Sequence, residues 1–352
     1  MKLVELFEKY QTDIYKQPIS QEQKWAVHQM LQCKTQRAGQ LDYECNQCHQ
    51  HSYIDHSCGH RFCPQCGFQA NQKWLTRQQQ KLLPVDYFMV TFTLPFELRM
   101  LAKQKSKEIY TILMRQAVAT VQTFAKNDQH LSGQLGVTAV LHTHSRNLNY
   151  HPHVHLMIPA GSLSKQKNWQ AKRKKYLFNT KNLSSVFRAK FIESLKTQDI
   201  HCPTTYPKNW IAHCKKIGNG SPALKYLSQY LYRGVSSEKN QLSLKQDQLT
   251  WRYKDSKSKQ YVVKTEPIMN FLLRLLQHVL PKGFQRVRNY GLLHGSNRTL
   301  LMKIQLMLRV TLPELCESFH YEVICPCCKK VMTFCGIKKT KMKIEKMRTI
   351  GA

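Results

Sequence analysis

The 352-residue chain contains 54 Lys and Arg residues but only 21 Asp and Glu residues, so its formal net charge is +33. Its hydrophobic content of 42% is enough for at least one sizeable core, which excludes a disordered chain. The charge predicts a polyanionic partner, and nucleic acid is favoured over a membrane because no apolar run approaches the roughly 20 residues of a spanning helix.

The N-terminal segment 1–9 is amphipathic and lacks the apolar core and cleavage site of a signal peptide. We therefore expect a cytoplasmic protein, and in a reducing cytosol cysteines favour metal sites over disulfides. The distribution of the 13 cysteines supports this expectation, because nearly all lie in two clusters, between Cys33 and Cys66 and between Cys316 and Cys335.

The first cluster follows two predicted amphipathic helices within residues 1 to about 35. Two Cys-x2-Cys pairs in it are spaced so that four thiolates can meet one tetrahedral zinc ion. These four are Cys45, Cys48, Cys63 and Cys66. Three further residues, Cys33, Cys58 and His60, could form a second site or replace one ligand, and the spacing leaves both possibilities open.

Predicted strands and helices alternate through the middle of the chain. The predicted strands are 87–94, 137–144, 151–158, 209–214, 249–253 and 261–264, and the predicted helices are 69–83, 98–126, 222–233 and 267–280. The polar turn 145–149 joins two of these strands, which predicts a β-hairpin.

The second strand of this hairpin carries three histidines at alternate positions. His151, His153 and His155 would share one face of the strand, because successive side chains point to opposite sides. Imidazoles at i and i+2 can bind one divalent cation and leave positions open for phosphate oxygens. Structural histidines also occur in this pattern, so the pattern alone does not decide between the two.

The predicted helix 222–233 carries Tyr226 and Tyr230 at i and i+4, so both hydroxyls would project from one face, one turn apart. Tyrosine has a pKa near 10 and needs a nearby metal ion or base to attack phosphorus. The pair could therefore supply two nucleophiles beside a histidine metal site. Packing residues show the same spacing.

The C-terminal cysteines resemble half of a zinc ribbon without a partner pair. Cys325, Cys328 and Cys335 could bind a second zinc ion with His320 as a further ligand, or they could be simple thiols.

Together these motifs resemble the rolling-circle transposases of the insertion-sequence 91 type, which join an N-terminal zinc-binding domain to a two-tyrosine HUH transposase domain. The resemblance covers nearly the whole chain. It is carried by Cys33-Lys-Thr, Ser57-Cys-Gly-His-Arg-Phe-Cys-Pro-Gln-Cys66, Thr91-Phe-Thr-Leu-Pro-Phe-Glu-Leu98, Leu141-His-Thr, Leu148-Asn-Tyr-His-Pro-His-Val-His155, Lys225-Tyr-Leu-Ser-Gln-Tyr-Leu-Tyr-Arg233 and Arg288-Asn-Tyr-Gly-Leu-Leu293.

By this resemblance, His153 and His155 hold catalytic Mg²⁺ or Mn²⁺. Tyr226 and Tyr230 form 5′-phosphotyrosine links with single-stranded DNA at the element ends, and structural Zn²⁺ is bound near the N-terminus. His142 is the expected third ligand, because it falls opposite His153 if the hairpin turn centres near 146–149. The rivals for this position are His151 and Gln229, and His144 stands where many relatives have tryptophan.

The resemblance also implies an α+β fold, in which an HUH-endonuclease-like, mainly antiparallel sheet is flanked by helices. We expect a helical and zinc-binding domain at 1–84, a catalytic domain at 85–300 and a basic Cys-containing region at 301–352. Lys and Arg side chains would contact phosphates, while Trp169, Trp210 and Trp251 would stack on bases. The protein would act at the bacterial nucleoid.

Two other functions remain open from the residues. A replication initiator or a relaxase uses the same metal and tyrosine chemistry on an origin, although the zinc-binding segment favours a transposase. A zinc-bearing DNA-binding protein without activity is the alternative from another class.

Overall fold

The computed structural model describes residues 2–173, 177–203, 205–232, 238–255, 258–312 and 322–338, apart from the side chains of 68, 69 and 229–232. The helices in this part of the chain are α1 (Leu3–Lys9), α2 (Gln11–Tyr15), α3 (Gln21–Gln32), α4 (Gly67–Gln79), α5 (Arg99–Gln104), α6 (Ser106–Lys126), α7 (Thr180–Lys196), α8 (Ser221–Tyr232), α9 (Ile268–Leu276) and α10 (Arg298–Met307).

The strands are β1 (Gln40–Glu44), β2 (His51–Asp55), β3 (Tyr87–Thr93), β4 (Gly136–His144), β5 (Tyr150–Pro159), β6 (Gly161–Leu163), β7 (Trp169–Ala171), β8 (Ile211–Lys216), β9 (Gln241–Lys245), β10 (Gln248–Lys254), β11 (Tyr261–Pro267), β12 (Val287–Gly291) and β13 (Thr333–Lys338). Antiparallel sheets and helices in one chain confirm the predicted α+β class. No helix among the described residues is long and apolar enough to cross a membrane.

The chain divides into two compact units, one from Met1–Lys73, Tyr232–Gly234 and Leu315–Ala352 and the other from Trp74–Leu231 and Val235–Glu314. Residues of the predicted region 301–352 fall in both units. Helix α10 belongs to the second unit, whereas β13 pairs with β1 and belongs to the first. Because its backbone hydrogen bonds are made with β1, β13 is part of the sheet of the first unit.

The first unit combines short helices with the sheet β13-β1-β2. Helix α3 begins where a serine caps it: Ser20 accepts a hydrogen bond from the backbone of Gln23, whose side chain accepts one from the backbone of Ser20. The apolar stripe of α3 is buried, as are Leu6 and Phe7 of α1. Both helices thus follow the amphipathic pattern of the sequence.

The second unit is built on an antiparallel five-stranded sheet with the order β12-β4-β5-β3-β8. One face packs against α6 and α7, because alternate residues of β3, such as Phe88, Val90 and Phe92, are apolar and fully buried. The residues between them, including Thr91, point to the other face. This alternation leaves the second face for polar side chains.

Two of the three tryptophans expected to stack on bases lie in the core of this unit instead. Trp210 packs against Phe187 and Phe191 of α7. Trp251 of β10 is 1% exposed, and its indole N–H donates to Glu266 at 2.7 Å. A large apolar ring is more stable inside a core than in water, and these two rings find packing partners there. Trp169 is half-buried.

Candidate functional site

Three histidines come together on the sheet face opposite α6 and α7. His142 of β4 lies directly opposite His153 of β5, the position that hairpin geometry predicted, and His155 follows on β5. Their ring centroids are 5.1 Å apart for His142 and His153, 4.5 Å for His142 and His155, and 4.9 Å for His153 and His155. One nitrogen of each ring lies within 4.8 Å of the others, so the three imidazoles could share one cation.

Two of these rings are oriented by neighbours at Nδ1. The Nδ1–H of His153 donates to the carbonyl oxygen of His151 at 2.7 Å. The Thr91 hydroxyl lies 2.8 Å from Nδ1 of His155, to which Thr91 is paired across β3 and β5. A ring held through Nδ1 presents Nε2 to a metal ion, which is the usual arrangement of metal-binding histidines.

Burial keeps the three imidazoles neutral. It lowers the pKa of His153 to about 4 and that of His155 to about 3, and it lowers the pKa of His142 well below its ordinary value. Near neutral pH each ring therefore has a nitrogen lone pair for a divalent cation instead of a proton. Three neutral imidazoles fit a divalent transition-metal ion, with coordination positions left for oxygen ligands.

Tyr226 of α8 lies beside this cluster. Its ring centroid is 6.5 Å from that of His155, the two rings meet edge to face, and the side chain is 39% exposed. Helix α8 begins at Ser221, one residue before the predicted start, after Gly220 with a φ of 81°. The side chain of Tyr230, the second predicted nucleophile, lies outside the described residues.

Of the two rivals for the third ligand, only the side chain of His151 lies among the described residues. His151 lies outside the group of three, although its ring centroid is 5.2 Å from that of His153, and Arg99 donates to its Nδ1 at 2.7 Å. The side chain of Gln229 lies outside the described residues. Neither Arg99 nor Thr91 was identified as a site residue from the sequence. Thr91 lies on the neighbouring strand β3 and Arg99 is the first residue of α5, and only the fold brings them next to the histidines.

The cysteines form two groups that differ from the predicted one. Cys63 and Cys66 lie with Cys33 and Cys58, not with Cys45 and Cys48. The Sγ of Cys66 is 3.2 Å from that of Cys33 and 3.6 Å from that of Cys58. Cys33, at the end of α3, lies in this group. The fold therefore does not form the four-thiolate site that was predicted from the two adjacent pairs.

Cys45 and Cys48 instead meet Cys325 and Cys328, which the sequence left without a partner pair. Backbone N–H groups of Cys48 and then Gln47 lower the pKa of the Cys45 thiol to about 6. The backbone N–H of Cys328 likewise lowers the pKa of the Cys325 thiol. In each pair the shift at the first cysteine favours the thiolate, which is the form that binds metal.

Two of the remaining predicted zinc ligands, His60 and Cys335, lie outside both groups. His60 uses Nδ1 to accept a hydrogen bond from the backbone of Phe62 at 3.2 Å. Cys335 is exposed and its thiol lies 3.5 Å from the carbonyl oxygen of Thr333. His320 lies outside the described residues.

Comparison with known proteins finds two matching family models, one near the N-terminus and one in the middle of the chain. Residues 5–94 match the family model of a transposase zinc-binding domain, Zn_Tnp_IS91. Residues 136–299 match the transposase family model Y2_Tnp, and this range includes the three histidines and both tyrosines.

Relatives and a solved structure were also found. The chain is 30% identical over 293 residues to y4qJ of Sinorhizobium fredii, a protein named as a transposase, with 76% of this chain and 73% of that protein covered. It is 28% identical over 310 residues to the transposase for insertion sequence element IS801 of Pseudomonas savastanoi pv. phaseolicola, with 82% and 74% covered. The conjugative relaxase TrwC in complex with mutant OriT DNA aligns at 19% identity over 35% of this chain and 48% of that one, and its TM-score of 0.28 is too low to establish a shared fold.

Two family models in the expected order and relatives aligned over most of their length agree with the motifs described above. The chain therefore belongs to the transposases of the insertion-sequence 91 family.

Proposed function

We propose that this transposase cleaves and rejoins single-stranded DNA at the ends of its insertion sequence by rolling-circle chemistry, with Tyr226 and Tyr230 as nucleophiles. The observation that carries the proposal is the position of Tyr226, whose ring lies beside His155 of a partly buried three-histidine cluster. A tyrosine that attacks phosphorus needs a cation close to the scissile phosphate. Helix α8 holds Tyr226 next to a cluster of histidines that could bind such a cation.

His142, His153 and His155 would hold Mg²⁺ or Mn²⁺ through neutral imidazoles. The bound ion would polarise the scissile phosphate and stabilise the phenolate. The protein side chains supply the rest of the site: Thr91 and the carbonyl of His151 orient the two β5 rings, and burial keeps protons from the ligand nitrogens.

In the cleavage step, the Tyr226 oxygen loses its proton and forms a bond to phosphorus as the bond from phosphorus to the 3′-oxygen breaks. The 3′-oxygen takes a proton and leaves as a hydroxyl, and the DNA remains attached as a 5′-phosphotyrosine. Attack of a 3′-hydroxyl on this link reverses the step, so rejoining needs no nucleotide cofactor. Tyr230, one helical turn away in the sequence, would carry the second strand end.

Lys and Arg side chains on the surface would bind the phosphates of the DNA backbone. The formal net charge of +33 supports this role, and binding should weaken steeply with salt because many phosphates lose their counterions. As an enzyme acting on DNA, the protein would work at the bacterial nucleoid.

The test is covalent capture. Single-stranded oligonucleotides carrying the element ends, incubated with the protein and Mn²⁺, should give a protein–DNA adduct that survives denaturation. The same strands in EDTA, or annealed into blunt duplexes, should give little or none. Strand cleavage without an adduct would indicate a hydrolytic nuclease, and binding without cleavage would indicate a non-catalytic DNA-binding protein, so either result would contradict the proposal.

A further inference from the structure

The thiols of Cys45 and Cys48 face those of Cys325 and Cys328, which lie nearly the whole chain away in sequence. The Sγ atoms are 3.3 Å apart for Cys45 and Cys328, 3.5 Å for Cys48 and Cys325, and 3.8 Å for Cys48 and Cys328. Four sulfurs about 2.3 Å from a tetrahedral zinc ion lie about 3.8 Å from one another. These separations fit a metal cage and are far longer than a disulfide bond of about 2 Å.

The two pairs sit on matching backbone turns. In one turn the N–H of His49 donates to the carbonyl of Cys45 at 2.9 Å, and His49 has a φ of 55°. In the other the N–H of Lys329 donates to the carbonyl of Cys325 at 3.1 Å, and Lys329 has a φ of 59°. In each turn the residue after the second cysteine takes the left-handed conformation. Such repetition in unrelated segments indicates two halves of one zinc ribbon.

Strand pairing brings the two turns together. β13 pairs with β1 from Gln40 opposite Lys338 to Glu44 opposite Thr333. Among the described residues, a small apolar cluster with Val323 and Met332 is all that is buried around Cys45 and Cys325. So small an apolar core contributes little free energy of folding, and metal ligation is a common source of the remainder in such domains.

We propose that Cys45, Cys48, Cys325 and Cys328 bind a structural zinc ion separate from the one held by Cys33, Cys58, Cys63 and Cys66. The zinc-binding domain is then completed by the C-terminal segment and extends beyond the matched range 5–94. Both ends of the chain are joined in one metal-bound unit, and a fragment that stops after residue 94 lacks half of the second site.

Elemental analysis of the purified full chain tests this proposal. The wild-type chain, dialysed against Mn²⁺ so that zinc does not occupy the histidine cluster, should contain two zinc ions, and the Cys325→Ser, Cys328→Ser double variant treated in the same way should contain one. Cys327→Ser and Cys335→Ser are matched controls, because both thiols are exposed and lie outside the group, and each should retain two ions. Cys328→His, which keeps a zinc ligand, should also retain two and so separates loss of the site from general unfolding. A wild-type chain with one ion, or a double variant with two, would overturn the proposal.

A second inference concerns Arg99, the first residue of α5. Its Nη2 donates to Nδ1 of His151 at 2.7 Å, and its charge acts on both His151 and His153. Its Nε is buried and has no hydrogen-bond partner among the described residues. The guanidinium forms no salt bridge with a described carboxylate, although Glu97 acts on it electrostatically. Arg99 as a whole is half-buried. A permanently charged donor of this kind beside a phosphate-processing site is matched by a phosphate oxygen.

We infer that Arg99 donates to a non-bridging oxygen of the scissile phosphate and stabilises the charge that builds up there during attack. The role rests on the proposed function. The contact with His151, whose ring lies next to that of His153, holds the planar guanidinium in place, so the donor is positioned before DNA binds.

A charge-neutral substrate tests this contact. Arg99→Met should slow adduct formation on the normal strand about 100-fold, the usual effect of losing one such donor. On a strand with a methylphosphonate at the scissile linkage, which lacks the charged oxygen, the same variant should be slowed less than about 10-fold relative to wild type. Arg115→Met, at an exposed position of α6, is the matched control.

The outcomes separate the two levels of the proposal. If the wild-type protein forms no adduct on the normal strand, the tyrosine mechanism fails and this role fails with it. If the wild-type protein forms the adduct and Arg99→Met is slowed equally on both strands, or on neither, the phosphate contact alone is refuted.

Discussion

A Tyr226→Phe protein is expected to lose formation of the covalent DNA adduct at the first cleavage site by more than about 10⁴-fold, the scale on which enzymes lose activity with their nucleophile. The substitution removes one oxygen atom and keeps the ring that packs beside His155, so the helix and the histidine cluster should be unchanged. The measurement is the rate of adduct formation on a single-stranded end, together with DNA affinity, which should stay within about threefold.

Tyr261→Phe provides the matched control, because Tyr261 is an exposed tyrosine of β11 and should keep the wild-type rate. Tyr230→Phe should block the second joining step and leave the first adduct intact if the two tyrosines act in turn. Adduct formation by Tyr226→Phe at the wild-type rate would show that another residue is the first nucleophile.

Replacing His155 with alanine should reduce cleavage at least about 100-fold and weaken Mn²⁺ binding, because even groups that only orient metal ligands cost about 10- to 100-fold. His153→Ala should do the same. His142→Ala should match them if His142 is the third ligand, whereas His151→Ala should leave Mn²⁺ affinity unchanged. Calorimetric titration of each variant with Mn²⁺ measures binding independently of DNA cleavage.

His130→Ala is the control for this series, because His130 is exposed and lies outside the histidine group. Wild-type Mn²⁺ affinity in His142→Ala would remove that residue from the ligand set. Unchanged cleavage in both β5 variants would contradict a role for the cluster in catalysis.

The histidine cluster was largely predictable because its geometry is local. Alternation along a strand places His153 and His155 on one face, and a short turn leaves little freedom in the register that sets His142 opposite His153. The placement of Tyr226 against His155 was not predictable in the same way. The i, i+4 spacing places two tyrosines on one helix face but contains no information on where that helix packs.

The cysteines show where sequence spacing misleads. Two adjacent pairs, Cys45 with Cys48 and Cys63 with Cys66, suggested one site because they are close along the chain. The fold separates them, since each pair finds its partners through other elements. Each Cys-x2-Cys turn supplies two ligands, and any second pair of cysteines can complete a four-ligand metal site. Strand pairing and the ends of helices therefore determine which cysteines come together.

The sequence by itself determined the family, the α+β class, the β-hairpin with its histidine face and the preference for a polyanionic partner. All of these depend on side-chain periodicity, turn length and charge, which act over a few residues or over the chain as a whole. The tertiary structure alone decided that β13 joins β1, which cysteines meet, and that Arg99 lies beside His151. These contacts join residues distant in sequence, and their free energy depends on packing and hydrogen bonding between elements that a local pattern does not specify.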